Sequence, residues 1–200
     1  MPYLDYVRSQ VLGPVGALHI DLGYTMRRGE NEAIYYDFPG AADVPAMPGV
    51  ARGMVAAPYG AFAVEAMDSY GGLIGSPAEY LRFLLAIDGQ RGQALLDKNS
   101  IEEMLARPKS SETKEPIYYG LGMSVRLLSG GNKNWWHEGT QPGMEAFGLR
   151  TAIGHSWVVA FNSRPRDVSG FWHDIDRSLW SAARQVTSWP AVDLFGTCDE

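Results

Sequence analysis

The chain has very little cysteine, no long apolar run and no excess of positive charge. Cys198 is the single cysteine in 200 residues, so an internal disulfide is excluded. No segment approaches the roughly 20 consecutive apolar residues of a membrane-spanning helix. The formal net charge of −6, without a Lys/Arg cluster, argues against nucleic-acid binding. The first residues carry neither the basic stretch nor the apolar core of an export signal, so localisation stays open.

Metal and phosphate chemistry are also poorly represented. The four histidines are widely spaced, and none belongs to a zinc signature such as His-Glu-x-x-His. They are His19, His137, His155 and His173. The paired glycines lack the spacing and the lysine of a phosphate-binding loop. We therefore expect no metal site and no cofactor.

What the chain does contain is enough apolar sequence, 46% of its residues, for one sizeable core, and we expect a single domain over residues 1–200. Residues 3–12 show helical spacing of apolar side chains and stop at a Gly-Pro pair. Residues 76–79 and 100–103 are capping boxes that predict two further helix starts. Between these helices, residues 37–60 are rich in proline and glycine and predict a long irregular loop.

The second half of the chain has strand signals followed by one helix. Residues 117–127 alternate strictly, which predicts one strand with Tyr119, Met123 and Val125 on the same face. Further strands are predicted at 135–139, 145–151 and 157–161. Residues 170–186 carry a helical apolar stripe, formed by Trp172, Ile175, Leu179, Ala183 and Val186. The fold class is therefore α+β: an antiparallel meander within 117–162, covered by helices.

The run Trp136-His137-Glu138-Gly139-Thr140-Gln141-Pro142-Gly143 lies between two of these strands. Upstream, residues 70–76 contain Gly-Gly-Leu before an aromatic-rich helix, and residues 11–16 form a Leu-Gly-Pro element. This ordered set resembles the C-terminal portion of the serine β-lactamase and penicillin-binding-protein superfamily. The resembling branch contains class C β-lactamases, D-alanyl-D-alanine carboxypeptidases and related esterases. The resemblance covers roughly residues 3–186 and implies a partial β-lactamase/transpeptidase-like fold.

The resemblance assigns substrate-binding and oxyanion roles to four consecutive residues. His137 stands where the family has a cation that holds a substrate carboxylate or tunes catalytic hydroxyls. Gly139 would let substrate approach the backbone, and the N–H of Thr140 would complete an oxyanion hole. Glu138 replaces the usual Thr or Ser, and an acid there would repel a carboxylate substrate. The alternative is that His137 is an ordinary strand residue.

The nucleophile and base motifs of the family are not found, so we expect no catalytic residue in this chain. Residues 111–114 match Ser-x-x-Lys in letters, but prolines bracket them and no apolar helix follows. No Tyr-x-Asn occurs at all. In relatives both motifs lie upstream of the Gly-Gly-Leu segment, so we expect them before residue 1.

Three functions remain open from the sequence. The first is the C-terminal part of a hydrolase that transfers an acyl group from an ester, amide or β-lactam to water, inactive alone. The second is a non-catalytic binding or assembly module that retains the fold. The third is one half of a two-chain hydrolase. A small acyl substrate is expected only in the intact enzyme, and the expected protein partner is a second copy or a complementing N-terminal half.

Overall fold

The computed structural model describes residues 1–109, 115–193 and 195. The chain divides into two compact units, Met1–Arg164 and Pro165–Glu200, and each is described by itself. The expectation of one domain over the whole chain stays a prediction.

The chain begins helical, as predicted. Helix α1, Tyr3–Tyr6, continues as a π-helical turn over Val7–Leu12 and a 3-10 turn over Gly13–Val15. The helical path therefore runs three residues beyond the predicted end. Pro14 stands in the first turn of the 3-10 segment, where its missing N–H costs no hydrogen bond. Gly16, with φ of 71°, ends the path.

The segment that follows is largely irregular and contains two small antiparallel sheets. Strand β1, Asp21–Leu22, pairs with β4, Leu73–Ile74. Strand β2, Val44–Pro45, pairs with β3, Met54–Val55. The predicted loop at 37–60 is thus irregular apart from this β2–β3 pair, and a 3-10 turn, Val64–Ala66, precedes β4.

Helix α2, Pro77–Ile87, starts where its capping box predicts. The Ser76 side chain accepts a hydrogen bond from the Glu79 N–H at 3.2 Å. The Glu79 carboxylate is buried and accepts from the backbone N–H of His19 at 2.7 Å. A reciprocal box would send this carboxylate to the Ser76 N–H. Here it ties the helix start to His19, three residues after the cap of the first helical segment, instead.

Helix α3, Lys98–Met104, begins three residues earlier than predicted. Asp97 is the N-cap, and its carboxylate accepts from the Ser100 N–H at 2.7 Å. Ser100, the predicted cap, is therefore the third residue of the helix. The prediction was wrong because an aspartate three residues upstream caps equally well and gains from the helix dipole.

The main sheet is a five-stranded antiparallel meander in chain order. Its strands are β5 Ile117–Tyr119, β6 Ser124–Leu127, β7 Lys133–Gln141, β8 Met144–Arg150 and β9 Ser156–Phe161. The α+β class and the meander are confirmed.

The single strand predicted over 117–127 is wrong, because these residues form the β5–β6 hairpin. Tyr118 pairs with Val125, and both are buried, whereas Tyr119 is 53% exposed. The chain reverses at residues 121–122, where Gly122 has φ of 82°. Glycine adopts this conformation without strain. The alternating sequence pattern continues through the turn, but the residues on either side of the turn belong to two different strands.

The hydrophobic core of the first unit lies between the helices and one face of the sheet. Helix α2 contributes Leu84 and Ile87, and Leu105 follows α3. The sheet contributes Val125 and Trp135, which are register partners on β6 and β7. This helix-covered face fixes the position of β7.

The second unit contains helix α4, Phe171–Gln185, which confirms the predicted helix to within a residue at each end. Gly170, with φ of 77°, precedes its first turn. Among the described residues, no helix combines the length and apolar character needed to cross a bilayer.

Candidate functional site

All four predicted site residues lie on β7, beyond the point where β6 stops pairing with it. Strand β6 ends this contact at the pair Ser124–Trp136. Strand β8 pairs with β7 along the whole stretch from Trp135 to Gln141. Among the strands in the described part of the chain, none pairs with the β6-side edge of residues 137–141. Residues 137–141 thus have one paired and one open edge.

The hydrogen-bonding pattern between β6 and β7 shows which backbone groups of β7 face the open edge. The Leu128 N–H donates to the Asn132 carbonyl at 2.8 Å and closes the β6–β7 hairpin. In an antiparallel pair every second residue directs its N–H and C=O to the same neighbour. The even-numbered residues of β7 therefore point their backbone groups toward β6. Beyond Trp136 these are Glu138 and Thr140, whose N–H groups face the open edge.

The side chains of the four residues divide between the two faces of the sheet. His137 and Gly139 lie on the helix-covered face with Trp135, and Glu138 and Thr140 lie on the other face. A Cβ added at Gly139 would meet nothing within 4 Å. Among the described residues, none occupies the space beside Gly139 on this face, and its role in letting substrate approach stays a prediction.

His137 has an aromatic neighbour that the sequence did not indicate. Its Nε2 lies 3.1 Å from the Tyr119 hydroxyl, and the two rings meet edge to face with centroids 6.2 Å apart. Both side chains are exposed. The contact holds the imidazole at the open end of β7, where the β5–β6 turn brings Tyr119 close.

Glu138 has a partner on its own strand. Its Oε2 accepts from the Trp136 indole N–H at 3.0 Å, two residues away on the same face. Its side chain thus lies on the opposite face from His137. The repulsion of a substrate carboxylate by Glu138 stays a prediction. Trp135 belongs to the core.

Thr140 is held by a buried carboxylate that sequence reasoning missed. The Thr140 hydroxyl donates to Glu145 Oε2 at 2.6 Å, and the two residues are cross-strand partners. Glu145 is fully buried, and its Oε1 has no hydrogen-bond partner among the described residues. Burial raises the pKa of the Glu145 carboxyl, and the hydrogen bond from Thr140 partly offsets that rise. An acidic residue inside a strand pattern gives no signal of burial before pairing is known.

The pKa of a second carboxylate, Asp37, is shifted in the opposite direction. Arg164 donates to both oxygens of Asp37, at 2.6 and 3.2 Å. These hydrogen bonds hold the pKa of Asp37 below its usual range. Arg164 also lowers the pKa of Glu145 through its charge, less than burial raises it.

The remaining predicted candidates add no site. Ser111 and Lys114, which match Ser-x-x-Lys in letters, fall outside the described residues. His19 contacts Glu79, and His173 contacts Arg177 in α4. Within 1–109, 115–193 and 195, no group of three or more His, Cys, Asp or Glu is arranged to hold a metal ion.

Comparisons with known proteins place the fold. The sequence model of the Beta-lactamase family matches residues 1–176, and a comparison with curated proteins finds no match. A D-amino acid amidase from Ochrobactrum anthropi SV3 superposes with a TM-score of 0.64 at 21% identity, over 92% of this chain and 53% of its own. A penicillin-binding protein from Bacillus halodurans gives 0.60 at 13%, over 91% and 49%.

A D-stereospecific amidohydrolase from Streptomyces sp. gives a TM-score of 0.59 at 20% identity, over 82% of this chain and 44% of its own. The chain thus spans about half the length of the solved structures it matches. At these identities the likeness shows the fold, a partial β-lactamase/transpeptidase-like fold, as the sequence predicted.

Proposed function

Because the chain belongs to the β-lactamase family, we propose that it forms the substrate-binding wall of a serine β-lactamase-like acyl hydrolase. The open edge of β7 carries the proposal. The Thr140 N–H would be one donor to the oxyanion that develops when an ester, amide or β-lactam carbonyl is attacked. Gly139 would let the substrate lie against the strand, and His137 would contact its polar groups.

The arrangement suits an oxyanion donor for two reasons. A backbone N–H on a strand paired on its other edge is held in place before substrate arrives, so little reorganisation is needed during reaction. The Thr140 side chain is tied to Glu145, which limits rotation around this residue.

We further propose that this chain alone does not turn substrate over. Its sequence offers one Ser-x-x-Lys match, in an unfavourable setting, and no Tyr-x-Asn. Loss of a nucleophile–base pair costs several orders of magnitude in rate. The purified chain should not hydrolyse p-nitrophenyl butyrate or a chromogenic cephalosporin. Turnover that disappears in Ser111→Ala would overturn this part of the proposal.

The wall itself is tested by ligand binding. The amidase from Ochrobactrum anthropi has been solved with L-phenylalanine amide, which makes a phenylalanine amide a reasonable probe. In a two-dimensional NMR titration, D-phenylalanine amide should shift the amide resonances of Glu138, Gly139 and Thr140. Thr140→Pro removes the open-edge N–H but leaves the β7–β8 ladder intact, since proline is tolerated on strand edges. This variant should lose the interaction.

Thr140→Val is the matched control. It removes the hydroxyl bond to Glu145, as Thr140→Pro does, but it keeps the N–H. We expect Thr140→Val to bind the probe within about threefold of the original chain. Thr140→Pro should lose about tenfold, because one hydrogen bond between uncharged groups contributes up to about 1.5 kcal/mol. Equal binding of the probe by both variants would show that the Thr140 N–H does not donate a hydrogen bond to it.

A further inference from the structure

A cavity of about 290 Å³ lies at the far end of β7, next to the open edge. Gln141 and Pro142, which follow Thr140 directly, form part of its wall. The Gln141 amide donates to the Gly71 carbonyl at 3.0 Å, which joins the strand end to the opposite wall. A cavity of this size accepts a group of about ten non-hydrogen atoms.

The turn after Gln141 is closely packed against the cavity wall. A Cβ at Gly143 would lie 2.7 Å from Pro58 and 3.0 Å from Tyr35. Gly143 also has φ of 77°, which favours glycine. The close packing of Gly143 against the Pro58 and Tyr35 side chains therefore fixes the position of this cavity wall relative to β7.

The interior of the cavity is apolar and aromatic. Tyr35 and Tyr59 line it with ring centroids 6.5 Å apart. The Tyr59 hydroxyl accepts from the Tyr35 backbone N–H at 2.7 Å, which holds this pair in place. Phe62 and Leu73 complete the apolar wall. An aromatic or branched aliphatic body would be stabilised here by burial.

Arginines outnumber carboxylates in the cavity lining, which contains Arg27, Arg28 and Glu32. Arg27 lies over the Tyr24 ring at 4.1 Å, and within the described part of the chain no carboxylate pairs with it. Arg28 donates to the Glu32 backbone carbonyl at 2.8 Å. The Glu32 carboxylate accepts from the Gly29 N–H at 2.8 Å. Two guanidinium groups and one carboxylate thus belong to the cavity lining, and that carboxylate already accepts a hydrogen bond.

We propose that this cavity binds the anionic side group of the substrate: an apolar body of about ten atoms that ends in a carboxylate at Arg27. The inference rests on the proposed function, since it names the substrate class of the same site. Guanidinium binds carboxylate with two parallel hydrogen bonds, and a group already stacked on an aromatic ring is preorganised for this. A substrate with a free ammonium group at this end would be disfavoured.

The test uses three probes of one shape: 3-phenylpropionate, 3-phenylpropionamide and 3-phenylpropylammonium. In an NMR titration of the full chain, the carboxylate should shift resonances of the cavity wall and bind about tenfold tighter than the neutral amide, with the ammonium weakest. Arg27→Gln should lower carboxylate affinity about tenfold. Arg52→Gln makes the same charge change away from the cavity and should leave affinity unchanged.

Each other outcome counts against the proposal. Equal affinity for the three probes would show that the cavity does not select charge. Unchanged carboxylate binding in Arg27→Gln, or shifts outside the cavity, would show that Arg27 is not the recognising group. Thr140→Pro separates this proposal from the proposed function. It should leave 3-phenylpropionate binding intact, so the open edge and the cavity can fail independently.

Discussion

The two halves of β7 differ although they belong to one continuous strand. Residues 133–136 pair with β6 on one side, and their Trp135 is 4% exposed within the core. Of the described strands, β8 alone pairs with residues 137–141, and a Cβ at Gly139 would meet open space. One half of the strand holds the fold together, and the other half offers backbone groups to a ligand.

The length of the neighbouring hairpin produces this difference. Strand β6 has four residues against nine in β7, because the chain turns at Gly122. The turn exposes the far edge of β7 and places Tyr119 beside His137. A longer β6 would satisfy the N–H of Thr140 in the sheet ladder and close the site.

The largest expected effect is a large-to-small change in the buried half. Trp135→Ala should lower the free energy of unfolding by about 3–5 kcal/mol, because the indole fills the core between sheet and helices. His137→Ala, two residues along on the same face but exposed, should change it by less than about 0.5 kcal/mol. Urea denaturation of both variants checks this. Similar losses would mean that the two halves are equally part of the core.

Two glycine substitutions should give the next largest contrast. A Cβ at Gly148 would lie 2.9 Å from the Tyr80 ring, so Gly148→Ala should cost about 1–3 kcal/mol through overpacking. Gly139→Ala adds the same methyl on the same face, where nothing lies within 4 Å. Its unfolding midpoint should be unchanged while D-phenylalanine amide binding falls. A destabilised Gly139→Ala with normal binding would contradict the open-edge description.

A smaller, pH-dependent effect is expected at Glu145. Its pKa is raised in the folded chain by burial. Below the unfolded-state pKa of about 4.3 the Glu145 carboxyl is protonated in both the folded and the unfolded chain. It then adds no pH dependence to the free energy of unfolding. As pH rises above that value the unfolded carboxyl ionises first, so Glu145 lowers stability progressively up to its folded pKa. Glu145→Gln should therefore gain stability relative to the original chain from pH 4 to pH 7.

Urea denaturation at the two pH values measures this gain. Glu138→Gln, which changes an exposed carboxylate on the adjacent strand, is the matched control and should show no comparable gain. A Glu145→Gln variant that loses stability as pH rises would show that the buried carboxylate is ionised and favourably bound.

The sequence predicted the fold where short-range rules decide it. Ser76 and Pro77 mark the start of α2 correctly because a capping serine and a first-turn proline act locally. The β5–β6 hairpin was missed because strict alternation in residues 117–127 persists across the turn, although Gly120 and Gly122 both lie in it. The α3 start was misplaced because two acceptable caps, Asp97 and Ser100, lie three residues apart.

The sequence was enough to name the residues of the candidate site, but not to predict the contacts of their side chains. His137, Glu138, Gly139 and Thr140 were found through a family motif, and strand alternation then separates their side chains in pairs. The contacts of Tyr119 and Glu145 depend on pairing between strands, which no local pattern contains. Association with a second copy or with a complementing half stays a prediction, for which light scattering at micromolar concentration is the measurement.

The N–H groups of Glu138 and Thr140 face an open edge in this structure. Amide hydrogen exchange along β7 tests it residue by residue. We predict slow exchange at Asn134 and Trp136, whose N–H groups face β6, and at His137, Gly139 and Gln141, whose N–H groups face β8. Glu138 and Thr140 should exchange much faster, and a ligand on the open edge should slow them. If the Thr140 amide is protected as strongly as the Trp136 amide in the free chain, the edge of β7 at Thr140 is not open.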